Sequence, residues 1–338
     1  MYFSGTAKMA HVFPGQGAFF ACALRRARFT FLEIEKVISI TEAVAHRRFG
    51  RSLVTAMWDE QNDAMHFMKS DPELLQLAIF TVSVAAHNIL RAQGDEPSVL
   101  MGHSFGEIAA LTCAGVFSIE QGAEIVCDRV ESLVAGAPRD GCMAAVSTNS
   151  AAVSDMLKEW AADRPATPPA AMLAVAVENH DNQTVISGSE GEITAFNAHC
   201  KSRKLSAQKL HSPYGFHHPA LAPVTAAFAA RLAAHSWSVP KLPVYSPIMG
   251  RYYQPDDAFG DCLARHLVMP VAFSTAVRRL HTEGVSVYVE CGALDGLSRI
   301  IGHILGPDGA KSFPTFTPDS ADGGGFGPVL DLIRKIHR

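Results

Sequence analysis

A serine flanked by glycines at residues 102–106 has the sequence setting of a covalent nucleophile. These residues read GHSFG, and they follow the apolar run SVLM and precede a stretch rich in alanine and leucine. In a GxSxG motif the serine occupies a strained turn between a strand and a helix, and the glycines leave room for neighbouring backbone. The pattern predicts that Ser104 is a catalytic nucleophile. A purely structural glycine turn is the alternative.

A serine nucleophile needs a base within hydrogen-bonding reach, and histidine is the usual one. The sequence has 15 histidines, and the stretch HSPYGFHHP at 211–219 contains three of them. Residue types alone do not choose between His211, His217 and His218. Each of them could also be an ordinary surface or core histidine.

The cysteines and histidines of the sequence do not have the spacing of a recognisable metal site. The seven cysteines have no CxxC spacing, and no histidine pair has the HExxH pattern. An odd number of scattered cysteines also argues against a disulfide framework and favours a reducing, cytoplasmic location. We therefore expect neither a metal ion nor structural disulfides.

The composition excludes several other classes of protein. A net charge of −4 without a long basic run argues against a nucleic-acid partner. The apolar runs, such as 78–86, are shorter than the roughly 20 residues that span a membrane, and the first residues do not resemble a signal peptide. The hydrophobic fraction of 48% is sufficient for a large core in a folded protein with no membrane partner.

The order of apolar runs predicts an α/β fold with a smaller inserted subdomain. Two short strands that end in glycine turns, at 9–17 and 98–101, indicate an α/β core, and the GxSxG turn makes the predicted core α/β-hydrolase-like. Between 138 and 210 the order strand, helix, strand, strand, helix and a final strand-like run matches a ferredoxin-like subdomain. The predicted division is therefore 9–137 and 211–306 for the large subdomain, 138–210 for the small one, and 307–338 for a tail with a terminal helix. We expect ATPPA at 166–170 to be a surface loop and ADGGGFG at 321–327 to be a flexible joint.

Ordered motifs along the chain carry a family resemblance. From about Val12 to Leu305 the sequence resembles malonyl-CoA:acyl carrier protein transacylases of fatty acid synthesis and acyltransferase domains of modular polyketide synthases. The resemblance includes an arginine 25 residues after Ser104. The other motifs are FPGQG at 13–17, DPELLQLAIF at 71–80, GHSFGE at 102–107, GCMAAV at 141–146, YGFH at 214–217, LVMPVAF at 267–273 and ECGALDGL at 290–297.

The resemblance implies a set of catalytic roles. It makes Ser104 the nucleophile and His217 the general base, and it assigns the oxyanion hole to Gln16 and the main-chain N–H of Phe105. In these families a main-chain carbonyl before a Leu-x-x-Pro-Val run orients the histidine, and the corresponding residue here is His266, where Asn or Gln is usual. Two further departures from the family pattern, Leu77 and Ala293, replace prolines and are interpreted as packing changes.

The resemblance also implies an acyl group with a carboxylate. Arg129 corresponds to the arginine that binds this carboxylate, since a guanidinium can bind a carboxylate through two parallel hydrogen bonds. His103 is implied to lie beside the substrate. An apolar residue at Phe105 and a phenylalanine at Phe216 usually accompany malonyl, whereas Tyr214 belongs to the methylmalonyl pattern. The motif around the histidine is therefore mixed.

The implied reaction is a ping-pong transfer of malonyl from coenzyme A to the phosphopantetheine thiol of an acyl carrier protein, for polyketide or fatty acid biosynthesis. No cofactor is expected beyond the coenzyme A thioester substrate and the phosphopantetheine of the partner. Three alternatives remain: transfer of an unusual acyl group between carrier proteins, an editing hydrolase for acyl carrier proteins, and a docking module without activity. The short length outside the motifs suggests a separate enzyme that acts in trans, and a domain cut from a longer synthase is the alternative.

Overall fold

The computed structural model describes residues 8–62, 64–164, 172–320 and 326–336. The predicted loop at 166–170 and most of the predicted joint at 321–327 lie outside these residues. The strands are β1 (Lys8–Phe13), β2 (Val99–Gly102), β3 (Gly141–Val146), β4 (Ala174–His180), β5 (Gln183–Ser189), β6 (Ala207–Lys209), β7 (Val244–Ser246), β8 (Arg251–Tyr252), β9 (Val271–Ala272), β10 (Val285–Ala293) and β11 (Lys311–Phe316).

The α-helices alternate with these strands, which confirms the predicted α/β class. They are α1 (Leu32–Phe49), α2 (Leu53–Trp58), α3 (Ala64–Ser70), α4 (Pro72–Ala92), α5 (Gly106–Cys113), α6 (Ile119–Gly136), α7 (Ser150–Ala162), α8 (Glu190–Ser202), α9 (Ala222–Leu232), α10 (Phe259–Arg265), α11 (Phe273–Thr282), α12 (Gly296–Leu305) and α13 (Phe326–Ile336).

The chain divides into two units. Unit 1 comprises the residues up to Val130, Ser236–Asp257 and the residues from Val277 onward. Its sheet has the strand order β11-β10-β1-β2-β7-β8, in which the first five strands are parallel and β8 is an antiparallel edge. β1 and β2 are the central pair, and the chain leaves their carboxyl ends through FPGQG and GHSFG. Ligands of open parallel sheets bind at this edge.

Helix α4 forms much of the core of unit 1. It begins with Pro72 in the first turn, and the side chain of Asp71 caps it by accepting from the main-chain N–H of Leu74. Its length and hydropathy would suit a membrane span, but 89% of the apolar window is buried. That degree of burial is typical of a core helix in a soluble domain.

Unit 2 comprises Glu131–His235 and Ala258–Ala276. It contains the predicted order β3, α7, β4, β5, α8, β6, and its sheet has the strand order β6-β3-β5-β4-β9. The strands from β3 to β6 pair antiparallel, and the inner side chains form a separate apolar core that includes Trp160, Ile186 and Phe196. These features match the ferredoxin-like prediction.

Unit 2 is wider than the predicted subdomain of 138–210. It also includes α9, α10 and the segment around β9, because β9 pairs in parallel with β4 through Val177 and Glu178. The main-chain N–H of His218 further donates to the carbonyl oxygen of Leu267 at 3.2 Å. The β4–β9 pairing joins residues after 211 to the small sheet, and the His218–Leu267 hydrogen bond links two of the added segments to each other.

Candidate active site

Ser104 lies on a sharp turn between β2 and α5. Its φ angle is +55°, in the left-handed region that an L-residue adopts at a cost. A Cβ atom on Gly106 would lie 2.1 Å from the carbonyl oxygen of Phe13, and one on Gly102 would lie 2.1 Å from the main-chain N of Glu107. Glycine is therefore required on both sides of the serine. The structure gives Ser104 the geometry that the GxSxG spacing predicts.

The FPGQG segment packs directly against this turn. The main-chain N–H of His103 donates to the carbonyl oxygen of Phe13 at 2.9 Å, and a Cβ on Gly15 would lie 2.8 Å from the carbonyl oxygen of His103. His103 and Ser104 are both half-buried. Unit 1 therefore holds the segment that carries Gln16 against the predicted nucleophile.

Gln16 has hydrogen-bonding capacity that unit 1 leaves unused. Its Nε2 lies 3.7 Å from Sδ of Met68, a weak contact, and its Oε1 is buried without a hydrogen-bond partner among the described residues. Phe105 is the N-terminal cap residue of α5, so its main-chain N–H lies at a helix N-terminus, where partial positive charge accumulates. Both groups have the chemistry of an oxyanion hole, and their roles stay predictions.

Arg129 is a buried cation in the same unit. It is 4% exposed, its Nη1 donates to Oε1 of Gln76 at 2.5 Å, and its guanidinium carbon lies 5.3 Å from the ring centroid of Phe105. The neighbouring Asp128 pairs with Arg48 at 2.8 Å. An aromatic face and a strong hydrogen-bond acceptor both stabilise a buried guanidinium, and here Phe105 and Gln76 provide them.

Gln76 is a site residue that the sequence analysis missed. It lies in α4 and is fully buried, and its Nε2 has no hydrogen-bond partner among the described residues. An unpartnered buried donor costs about 1–3 kcal/mol, so such a group marks a place where a ligand acceptor can bind. The available signal was a lone glutamine inside the apolar DPELLQLAIF motif.

His217 is held in unit 2 by a main-chain carbonyl. It is 3% exposed with a φ angle of +57°, and its Nδ1 lies 2.7 Å from the carbonyl oxygen of Met269. Because a carbonyl can only accept, Nδ1 carries the proton and Nε2 of the neutral ring carries the lone pair. This is the tautomer that a general base requires.

The prediction that His266 supplies the orienting carbonyl is wrong by three residues. His266 is the C-terminal cap of α10 and keeps helical angles of φ −54° and ψ −28°, so its carbonyl follows the helix axis. Met269 precedes Pro270, and a proline ring disfavours helical backbone angles in the residue before it. The carbonyl of Met269 therefore turns away from the helical direction and accepts from His217.

The two other histidines of this stretch differ from His217. Nε2 of His218 lies 2.6 Å from the carbonyl oxygen of Met172, and Nδ1 of His218 accepts from the main-chain N–H of Ala220 at 3.1 Å. Both ring nitrogens therefore make main-chain hydrogen bonds, and burial lowers the pKa of His218. His211 is exposed. Of the three candidates, His217 has the surroundings of an oriented base.

The aromatic residues before the histidine form a packed pair in unit 2. The rings of Tyr214 and Phe216 meet edge to face with centroids 5.6 Å apart, and Phe216 is 6% exposed. Their roles in substrate selection stay predictions. Within the described residues, no group of three or more His, Cys, Asp or Glu side chains has metal-binding geometry.

The predicted residues thus fall into two sets. Unit 1 contains Gln16, His103, Ser104, Phe105 and Arg129. Unit 2 contains Tyr214, Phe216, His217 and His266.

Comparison with known proteins gives a consistent result. The protein-family model described as acyl transferase domain matches residues 11–301. A phenolphthiocerol synthesis polyketide synthase type I from Mycobacterium marinum is 30% identical over 305 residues, which cover 89% of this chain and 14% of that protein. The chain thus spans a small part of the length of this curated relative.

Two solved structures share the fold. The acyltransferase domain from module 8 of the salinomycin polyketide synthase has a TM-score of 0.85 at 26% identity, covering 96% of this chain and 75% of that one. A malonyl-CoA:acyl carrier protein transacylase from Xanthomonas oryzae pv. oryzae has a TM-score of 0.83 at 26% identity, covering 96% and 98%. Because the family match also extends over most of the chain, this protein belongs to the acyl transferase domain family and is an acyltransferase.

Proposed function

We propose that this acyltransferase moves a malonyl group from coenzyme A to the phosphopantetheine thiol of an acyl carrier protein. The observation that carries the proposal is the buried guanidinium of Arg129, which lies against the ring of Phe105, the residue that follows Ser104. A buried cation beside a nucleophile favours an acyl group that brings its own negative charge. Malonyl is a small acyl group of coenzyme A that ends in a carboxylate.

The first half-reaction forms an ester on Ser104. Nε2 of neutral His217 accepts the hydroxyl proton as Oγ attacks the thioester carbonyl, and the N–H groups of Gln16 and Phe105 stabilise the oxyanion. The C–S bond then breaks, and the imidazolium gives its proton to the departing thiolate of coenzyme A. The carbonyl of Met269 keeps the Nδ1 proton in place throughout.

The second half-reaction repeats these steps with a different thiol. His217 accepts the proton of the phosphopantetheine thiol, the thiolate attacks the malonyl ester, and the serine oxygen leaves with the proton from the imidazolium. No resident metal or cofactor takes part in the proposed steps. The related transacylase from Xanthomonas oryzae, by its name, uses the same two substrates, which supports this choice of donor and acceptor.

We propose a cytoplasmic enzyme, because seven scattered cysteines without paired spacing favour a reducing compartment. The carrier protein is the proposed macromolecular partner. An editing hydrolase is less compatible with Arg129, because stalled acyl groups usually lack the carboxylate that this residue would bind.

Intact-mass spectrometry after brief incubation with single acyl-CoA thioesters tests the proposal. We expect a malonyl adduct on Ser104, weaker adducts with methylmalonyl-CoA and acetyl-CoA, and discharge of the malonyl enzyme by holo acyl carrier protein faster than by water. Preferential loading of acetyl or longer uncharged acyl groups would contradict the malonyl assignment. Rapid discharge by water alone would instead indicate a hydrolase.

A further inference from the structure

Gln76 has one buried hydrogen-bonding atom that the fold leaves unused. The residue lies in the second turn of α4 and is fully buried. Its Oε1 accepts from Nη1 of Arg129 at 2.5 Å, whereas its Nε2 has no hydrogen-bond partner among the described residues. Since buried polar groups are normally hydrogen-bonded, Nε2 marks a position for an acceptor that a ligand brings.

The contact with Arg129 fixes which way the amide of Gln76 faces. A reversed amide would place its N–H groups against an N–H of Arg129, and two donors cannot form a hydrogen bond with each other. Nε2 is therefore the atom that stays without a partner. The nitrogen and oxygen of an amide are only about 2.2 Å apart, so the unused donor lies beside the guanidinium. Both residues belong to unit 1.

An amide at position 76 suits the binding of an anion better than a carboxylate would. A glutamate would accept from Arg129 and would also neutralise it, as the neighbouring Asp128 does for Arg48 at 2.8 Å. The neutral amide oxygen of Gln76 holds the guanidinium without cancelling its charge, and the amide nitrogen adds a second donor. A buried cation next to a buried donor favours a ligand that has negative charge and several lone pairs.

A carboxylate has enough acceptor capacity for both residues. Each of its two oxygens has two lone pairs, so a guanidinium that binds both oxygens leaves one lone pair on each. Nε2 of Gln76 can donate to one of these lone pairs. A neutral acyl group such as acetyl has no acceptor at this place and would leave the amide donor buried without a partner.

We propose that Gln76 is a second residue that selects the carboxylate of the acyl group, through a hydrogen bond from Nε2 to an oxygen that Arg129 also binds. The inference rests on the proposed function, because it takes the acyl group on Ser104 to end in a carboxylate. Discrimination against neutral acyl groups then has two sources, which are the charge of Arg129 and the donor of Gln76.

The experiment measures the initial rates of Ser104 acylation by malonyl-CoA and by acetyl-CoA, and the selectivity is the ratio of the two rates. The proteins are the wild type, Gln76→Met, Gln76→Glu, Arg129→Ala and the double variant of Gln76→Met with Arg129→Ala. Methionine keeps the length of glutamine without its polar atoms, and glutamate keeps an acceptor for Arg129 but lacks the N–H. Gln93→Met is the matched control, because Gln93 is exposed at the end of the same helix. Urea unfolding reports whether each protein is folded.

We expect Gln76→Met to lower the malonyl rate by about 10- to 100-fold, as for the loss of one hydrogen bond to a charged group, and to change the acetyl rate by less than about threefold. Gln76→Glu should lower the malonyl rate at least as much, because its carboxylate pairs with Arg129 and repels the substrate carboxylate. The double variant should be less selective for malonyl than Arg129→Ala by about threefold or more, since the direct hydrogen bond is also lost. Gln93→Met should behave like the wild type.

Two results would overturn the proposal and leave the proposed function intact. One is wild-type selectivity in Gln76→Met and Gln76→Glu together with a collapse of selectivity in Arg129→Ala. The other is equal selectivity in Arg129→Ala and the double variant, which would show that Gln76 acts only by holding the guanidinium. If Gln76→Met does not fold, Gln76→Glu and the double variant decide the question. Unchanged selectivity in Arg129→Ala would contradict the proposed function, and the proposal for Gln76 would fail with it.

Discussion

Ser104 in unit 1 and His217 in unit 2 are both left-handed residues, with φ angles of +55° and +57°, but different forces hold them there. The turn at Ser104 is fixed by close packing, because a Cβ on Gly106 would lie 2.1 Å from the carbonyl oxygen of Phe13. The turn at His217 is fixed by hydrogen bonds with the segment 267–269.

This difference determines which changes each region tolerates. In the serine turn, added volume collides with backbone that cannot move without disrupting β1. In the histidine turn, the backbone is packed less tightly around an added side chain. Hydrogen bonds to main-chain carbonyls fix the conformation of this turn. The serine region should therefore be sensitive to side-chain size, and the histidine region to loss of hydrogen bonds.

The largest effect is expected for Ser104→Ala, which removes the oxygen that carries the acyl group. Malonyl-CoA should leave no adduct on this variant in intact-mass spectra, whereas the urea midpoint should stay near that of the wild type. A persistent adduct of malonyl mass on the folded variant would assign the nucleophile to another residue.

Replacement of the base tests the second region. His217→Ala should slow acyl-enzyme formation by about 10²–10⁴-fold, the usual contribution of general acid–base catalysis. His218→Gln is the matched control, and its acylation rate should fall by less than about threefold because both ring nitrogens of His218 serve main-chain contacts. Quench-flow mass spectrometry gives both rates, and the opposite ranking would identify His218 as the base.

Arg129→Ala tests the charge next to the serine turn. Loss of two charge-assisted hydrogen bonds, each about 1.5–3 kcal/mol, should lower kcat/KM for malonyl transfer by about two to four orders of magnitude. Acetyl has no carboxylate, so its transfer should be unaffected or faster. The quantity to measure is the malonyl to acetyl loading ratio. An unchanged ratio would remove the main support for malonyl.

A pair of glycine substitutions tests the difference in packing directly. Gly106→Ala should lower the free energy of unfolding by about 3–5 kcal/mol, because backbone must shift to admit the methyl group. Gly215→Ala in the histidine region should cost only about 1 kcal/mol, since its Cβ would lie 3.2 Å from its nearest neighbours. Urea unfolding measures both, and equal costs would show that packing is equally tight in the two regions.

The smallest effect is expected for the contribution of His218 to the pH dependence of stability. Because burial lowers the pKa of His218 below its value near 6.5 in the unfolded chain, its neutral form is favoured by folding. Stability should therefore fall as pH drops below about 6.5, and His218→Gln should show a weaker decline, by up to about 1 kcal/mol at pH 5. Identical slopes in the two proteins would show that His218 titrates normally.

The serine turn was the part of the site most accessible from the sequence. Glycines on both sides of Ser104 are a direct consequence of steric limits, so the spacing of residue types records the geometry. The order of elements in unit 2 was predictable for a similar reason, because short apolar runs alternate with helical stretches such as Ser150–Ala162. Helices α1 to α3 were not predicted, because charged residues interrupt the apolar pattern of α1, and α2 and α3 have only six and seven residues.

The remaining parts of the site depend on contacts that leave little trace in residue types. Choosing His217 among neighbouring histidines required the family resemblance. Gln76 is one polar residue in an apolar helix, and only tertiary packing brings it to Arg129. The orienting carbonyl was predicted at His266 because main-chain acceptors have no residue signature, and the conformation of the following turn decides which one is used.

The carbonyl of Met269 has a consequence for how such sites change over evolutionary time. An acceptor from the main chain survives replacement of its own side chain, so residue 269 can drift freely among descendants while the histidine stays oriented. Selection should act instead on Pro270, whose ring restricts the preceding residue. A search for a third catalytic side chain in diverged copies of this gene would therefore find none, even though the histidine is still oriented.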